Sequence, residues 1–160
     1  MDNEYIKIVK NILLHPEFQR RKEFNHHENE SVYEHSLAVS LLAYKMAKII
    51  KANYKDAAIA GLLHDFYTNP WQENKEKKKF FEQHGFTHAK EAYENAREWF
   101  PEYMNDQIQE AITKHMFPLN PSIPKHRISY CVTIADKIIS SKVLLHPTAW
   151  PKYLGIKRTV

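Results

Sequence analysis

Between Ser31 and Ala52 the residues His35, Val39, Leu42, Met46 and Ile49 recur at steps of four and three, the spacing of a single helix face. Ser31 and Glu34 form an S-x-x-E capping box, which sets the start of that helix just ahead of His35. Strand-like alternation bounded by turn residues is not evident anywhere, so the chain must bury its apolar surface helix against helix. The same reasoning predicts a helix from Glu4 to Leu14 and an alanine-rich one from about Lys55 to Phe66, broken at Asn69-Pro70. Further helices are expected from Thr87, as N-cap, to about Phe100, from about Asn105 to His115, and from His126 to about Leu145. Pro118 to Pro124 reads as a loop, and the tail beyond Pro147 carries Trp150, Tyr153 and Leu154. The expectation is one all-α domain over residues 1–160, with six or seven helices and its core at about 31–145.

Polar residues interrupt the apolar faces at a few positions. His64 shares a stripe with Ala57, Ala60 and Gly61, whose small size lets a neighbouring helix come close. His115 follows Ile108 and Ile112, and Asp136 lies with Val132, Ile139 and Val143. A lone histidine on such a face is most simply a hydrogen-bonded core residue. An aspartate is harder to bury, because an unpaired carboxylate out of water needs a cation or a donor network. Imidazoles and carboxylates arriving from separate helices satisfy one another poorly, whereas a bound metal ion satisfies them all. Lys137, beside Asp136, and Lys114, beside His115, are candidate phosphate contacts.

Composition narrows the alternatives. The single cysteine, Cys131, excludes an intrachain disulfide and any multi-cysteine zinc module. Only Gly61, Gly85 and Gly155 are present, so no glycine-rich phosphate loop exists. The net charge of +4 is compatible with an anionic ligand, although Lys75, Lys77, Lys78 and Lys79 read first as a solvated helix face. No interleaved basic and aromatic patch points to nucleic acid. The start lacks the apolar core of a signal peptide, and the longest apolar run, Ala57 to Leu63, is too short to span a bilayer. A cytoplasmic protein is expected.

His35, the His64-Asp65 doublet and Asp136 lie within SVYEHSLAVS, AAIAGLLHDF and VTIADKI. Together these segments resemble the HD superfamily of metal-dependent phosphohydrolases, over roughly Ser31 to Val143. The resemblance implies that His88 in HGFTHAKEA and His115 in AITKHMFPL complete a six-residue ligand set for two metals, with Asp65 as the bridge. His84 competes with His88, which is preferred because it opens a helix and heads a stripe with Ala92, Ala96 and Trp99. Four imidazoles and two carboxylates, without thiolate, suit two divalent transition ions, iron or manganese foremost, with nickel, cobalt or zinc compatible. The implied reaction is hydrolysis of a phosphomonoester or phosphoanhydride, on a nucleotide, by water bridging the metals, with His64 and Asp65 central to catalysis. HD proteins also bring an arginine or histidine from ahead of the first ligand to the substrate, which here offers Arg21 and His27 from a cluster that includes Arg20 and His26.

The text departs from some branches of the family. Phe66-Tyr67-Thr68 follows the doublet in place of the Ile-Gly-Lys of cyclic-dinucleotide phosphodiesterases, and Thr68 stands where HD-type 5'-nucleotidases carry glutamate. The spacing is most similar to small bacterial binuclear HD hydrolases, including those that split diadenosine tetraphosphate. Two other readings remain open: an HD-type di-iron oxygenase using the same six ligands, and a non-catalytic nucleotide sensor.

Overall fold

The computed structural model describes residues 2–27, 30–67 and 80–145, with side chains at 25–30, 80–87 and 142–145 excepted. The expectations for Thr68, Asn69-Pro70, the lysines at 75–79, the side chains of His26, His27, His84 and Val143, and the tail after Leu145 lie outside those residues.

Seven α-helices are present among the described residues: α1 (Asn3–Leu14), α2 (Pro16–Gln19), α3 (Val32–Ile49), α4 (Tyr54–Leu63), α5 (Phe80–Trp99), α6 (Asp106–Thr113) and α7 (Arg127–Leu145). A minimal antiparallel ribbon, β1 (Asn25–His27) with β2 (Glu30–Ser31), precedes α3. The sequence shows no sign of it, because strands this short carry no alternation to read. The class is all-α.

Helix α3 is central and packs chiefly against α4 and α7, while α6 lies against both of those. The α3–α4 crossing is close because Gly61 has no side chain: a Cβ there would stand 2.8 Å from the Ser40 Cα. Ser40 is buried at the same crossing, donating to the Ala58 carbonyl at 2.6 Å and accepting from the Tyr5 hydroxyl of α1 at 2.9 Å. Small and hydroxyl side chains thus set the helix spacing, and their polar atoms are paired within it.

Several boundaries differ from the sequence expectation. The Ser31–Glu34 capping box forms as read. The far end of α3 stops at Ile49 rather than Ala52, because Lys51 turns left-handed (φ 54°). Its N–H donates to the Lys48 carbonyl and that of Ala52 to Ala47, closing a Schellman motif without glycine. Ile49 is consequently 80% exposed. The buried face of α3 runs instead through Ser36, Ser40, Ala43, Tyr44 and Ala47, alongside His35 and Val39. Helix α4 ends at Leu63, which puts His64 and Asp65 in the turn beyond it. Helix α5 begins at Phe80, so Thr87 is not an N-cap and His88 does not open the helix. Gly85 costs only about 1 kcal/mol within a helix, and no proline stands between 80 and 99 to stop it. Ala92 and Ala96 are fully buried on α5, as the stripe predicts, but Trp99 is 43% exposed. No helix of the described residues is long and apolar enough to cross a membrane.

Candidate metal centre

Five elements converge on one point: α3 brings His35, the turn after α4 brings His64 and Asp65, α5 brings His88, the turn after α6 brings His115, and α7 brings Asp136. His35, His64 and His115 are each at most 1% exposed, and Asp65 is 6% exposed.

The carboxylates organise the cluster. Asp65 Oδ2 lies 3.4 Å from His64 Nε2 and 3.9 Å from His35 Nε2, while its Oδ1 lies 3.6 Å from His115 Nε2 and 3.7 Å from His88 Nε2. One carboxylate therefore faces two groups of histidines with its two oxygens. Asp136 Oδ1 belongs to the first group, at 3.1 Å from His35 Nε2 and 3.7 Å from His64 Nε2. Ser140 donates to the same oxygen at 3.3 Å. In the second group the Nε2 atoms of His88 and His115 stand 3.2 Å apart.

Two rings are locked from behind. His64 Nδ1 donates to the Gly61 carbonyl at 2.8 Å, and His115 Nδ1 donates to the Ile112 carbonyl at 2.7 Å. Each ring is thereby held with Nε2 toward the cluster, the arrangement that fixes a metal-ligating imidazole. His64 Nε2 is buried and makes no hydrogen bond. A buried ring nitrogen in that condition is costly unless a cation meets it. The atoms offered by His35, His64 and Asp136 lie within 4.8 Å of one another, as do those of His64, Asp65 and His115. This donor set, rich in imidazole and free of thiolate, fits divalent transition ions.

The protonation states of the cluster reflect its crowding. Burial opposes charge on His64, but Asp65 and Asp136 outweigh it and hold the ring at about 9. Burial and the neighbouring His64 push His115 down to about 4, leaving it neutral and able to donate a lone pair. Burial would raise the Asp136 carboxyl, yet the hydrogen bond with His35 and the nearby His64 imidazole keep it well below the usual carboxylate range.

Lys137 is half-buried beside Asp136, its Nζ 3.4 Å from the His115 carbonyl. Burial lowers its pKa, with Asp136 opposing. Lys114 instead turns to Glu110 at 3.1 Å and to the Ile123 carbonyl at 3.0 Å. Arg21 is 1% exposed, and its guanidinium lies 4.2 Å over the Phe66 ring. His27 lies on β1, with its side chain outside the described residues.

Glu110 is a residue that periodicity does not reveal. Its carboxylate accepts from the N–H groups of Lys125 and His126 at 2.9 and 2.7 Å, and from the Ser129 hydroxyl at 2.9 Å. It thereby ties α6 to the start of α7, and so positions Asp136. The only sequence signal is a glutamate flanked by Ile108, Ala111 and Ile112, which the buried face of α6 surrounds.

The family model of the HD domain matches residues 32–140, the segment that contains every member of the cluster. Among curated proteins and among solved structures, none matches the chain.

Proposed function

The chain belongs to the HD domain family, and from that premise we propose that it is a metal-dependent phosphohydrolase acting on a phosphomonoester or phosphoanhydride, with a nucleotide as the small-molecule substrate. The observation that carries this reading is Asp65, whose two oxygens address two separate groups of imidazoles. In this reading His35, His64, Asp136 and Asp65 would hold one divalent ion, and Asp65, His88 and His115 would hold a second. Iron or manganese suits the donors best, with nickel, cobalt or zinc compatible. When bound, such ions act as Lewis acids toward phosphate oxygens and make a water nucleophilic at neutral pH.

The side chains then have distinct tasks. His64 and His115, anchored to the carbonyls of Gly61 and Ile112, present their Nε2 atoms without needing to reorganise. Asp65 keeps the two groups of donors in register. Two divalent ions held against two carboxylates would supply positive charge for a phosphorylated substrate, a role for which no glycine-rich loop exists here. Lys137, beside Asp136, adds a cation for the phosphate oxygens. His27 remains a candidate substrate contact, since β1 packs against α3, the helix that bears His35. The buried, unpaired Cys131 suits a reducing cytoplasmic setting.

The test is phosphate release from a panel of nucleotides, dinucleoside polyphosphates and sugar phosphates, using protein loaded anaerobically with iron or manganese. Release from one substrate class, lost in Asp65→Ala, is the expected result. Fully metallated protein that releases phosphate from none of them refutes the reading. Oxygen consumption in place of phosphate release would move the centre to the HD-type oxygenases.

A further inference from the structure

We propose that Arg21 is a positioning residue for the metal centre, setting the direction of the Asp65 carboxylate through Phe66, and not a substrate contact. The proposal rests on the metal-binding reading given above.

Arg21 is the largest fully buried side chain described, at 1% exposure. A guanidinium carries five N–H donors, yet this one is sparsely served. Its Nη1 donates to the Glu17 carbonyl at 3.1 Å, the Glu17 carboxylate stands 3.9 Å away, and the buried Nε makes no hydrogen bond. An apolar side chain of similar volume fills a core at lower cost than a poorly paired charge. Packing alone therefore does not account for an arginine here. Its main contact is the face of Phe66, with the guanidinium 4.2 Å from the ring centroid, and it also lies 5.2 Å from the ring of Phe24.

Phe66 directly follows Asp65, and it is held on every side. Its ring, 1% exposed, meets Phe18 and Phe100 in addition to Arg21. Its N–H donates to the Leu63 carbonyl at 3.2 Å, and its own carbonyl accepts from the Asn95 side chain of α5 at 2.9 Å. Fixing the ring and both peptide groups of Phe66 fixes the peptide plane that joins it to Asp65. That plane in turn sets where the Asp65 side chain points. Precision matters at this position because each Asp65 oxygen must serve a different group of histidines. A small rotation of the turn that favours one group withdraws the carboxylate from the other. Groups that orient a metal ligand in this way contribute about 10- to 100-fold to metal affinity.

The experiment measures Mn(II) affinity of the full chain by the loss of the free-ion paramagnetic signal, without substrate, together with the melting temperature of metal-free protein. Arg21→Met keeps the length and apolar bulk but gives up the charge and the flat stacking surface. Arg21→Lys keeps the charge only. The expected result is about 10- to 100-fold weaker Mn(II) binding in Arg21→Met, with the metal-free melting temperature equal to or above that of wild type. Arg21→Lys should recover little, since its ammonium cannot stack as a plane. Asn95→Ala, at a half-buried position on the other side of Phe66, supplies a second route should the arginine variants fail to fold, and it too should weaken Mn(II) binding about tenfold. Wild-type Mn(II) affinity in folded Arg21 variants, with only KM raised, would make Arg21 a substrate contact and overturn the proposal. A lowered melting temperature with unchanged affinity would make it a packing residue and overturn it equally. Wild-type protein that binds no Mn(II) would instead remove the metal-centre reading, and this proposal with it.

Discussion

Replacing Glu110 by glutamine removes one charge and almost no volume, and its cost can be worked from the hydrogen bonds around it. Burial alone would raise the Glu110 carboxyl, but the N–H groups of His126 and Lys125, the Lys114 ammonium and the Ser129 hydroxyl bring it from an ordinary 4.5 to about 2. A depression of that size corresponds to on the order of 3 kcal/mol of folding stability. Between those two pH values the unfolded chain binds more protons than the folded one, so stability rises with pH across the window. The increment is fully present above pH 4.5 and is lost as the pH falls through about 2. Glutamine can still accept one or two of these bonds, though without the charge that strengthens them. Glu110→Gln should therefore lose about 2–3 kcal/mol at neutral pH, measured by urea unfolding followed by far-UV circular dichroism. The two proteins should converge in stability as the solution is acidified. A variant within about 0.5 kcal/mol of wild type at neutral pH, or a difference that persists unchanged in acid, would refute the role assigned to this carboxylate.

Two further outcomes are expected. Gly61→Ala places a methyl 2.8 Å from the Ser40 Cα and 3.1 Å from its nitrogen, against the 3.4–4 Å of ordinary contact. Both neighbours are backbone, so overpacking of about 1–3 kcal/mol outweighs the roughly 1 kcal/mol that alanine gains in helix propensity. Thermal unfolding should show a net loss of up to about 2 kcal/mol, and a variant more stable than wild type would mean that α3 and α4 do not approach so closely. His88→Ala should reduce the metal content of anaerobically loaded protein from about two ions per chain to about one, whereas Asp65→Ala should abolish both. Elemental analysis decides this, and an unchanged content in His88→Ala would exclude His88 as a ligand.

Much of the helical plan was legible because local chemistry writes it directly. The Ser31–Glu34 capping box and the Asn105 cap, whose side chain accepts from Gln107 and Ile108, depend only on residues close in sequence. The tight α3–α4 crossing was likewise foreshadowed by Ala57, Ala60 and Gly61. Other features were not written locally. Lys51 ends α3 in a conformation that glycine usually supplies, so nothing marked the stop. Thr87 resembled a helix start, but the run from Phe80 continues through it. Glu110 could not be distinguished from a surface glutamate, because its partners at Lys125, His126 and Ser129 are 15 to 19 residues further on. The burial of Arg21 depends on Phe66, much farther along the chain, and the sequence around Arg21 reads as a polar loop.

The contact between His35 and Asp136 spans 101 residues of chain, and that separation bears on the order in which the molecule assembles. Helices α3 and α4 are joined by residues 50–53 alone and can pair early, bringing His35 beside the His64–Asp65 turn. Docking α7 against α3 closes the whole intervening loop, at an entropic cost of about 4 kcal/mol for a chain segment of that length. Where that closure follows the rate-limiting ordering of the other helices, Asp136 arrives last. Interactions made that late leave the folding rate nearly untouched and act on the rate of escape from the native state. An ion shared between α3 and α7 would thus work as a kinetic latch, lengthening the lifetime of the folded protein far more than it hastens its formation.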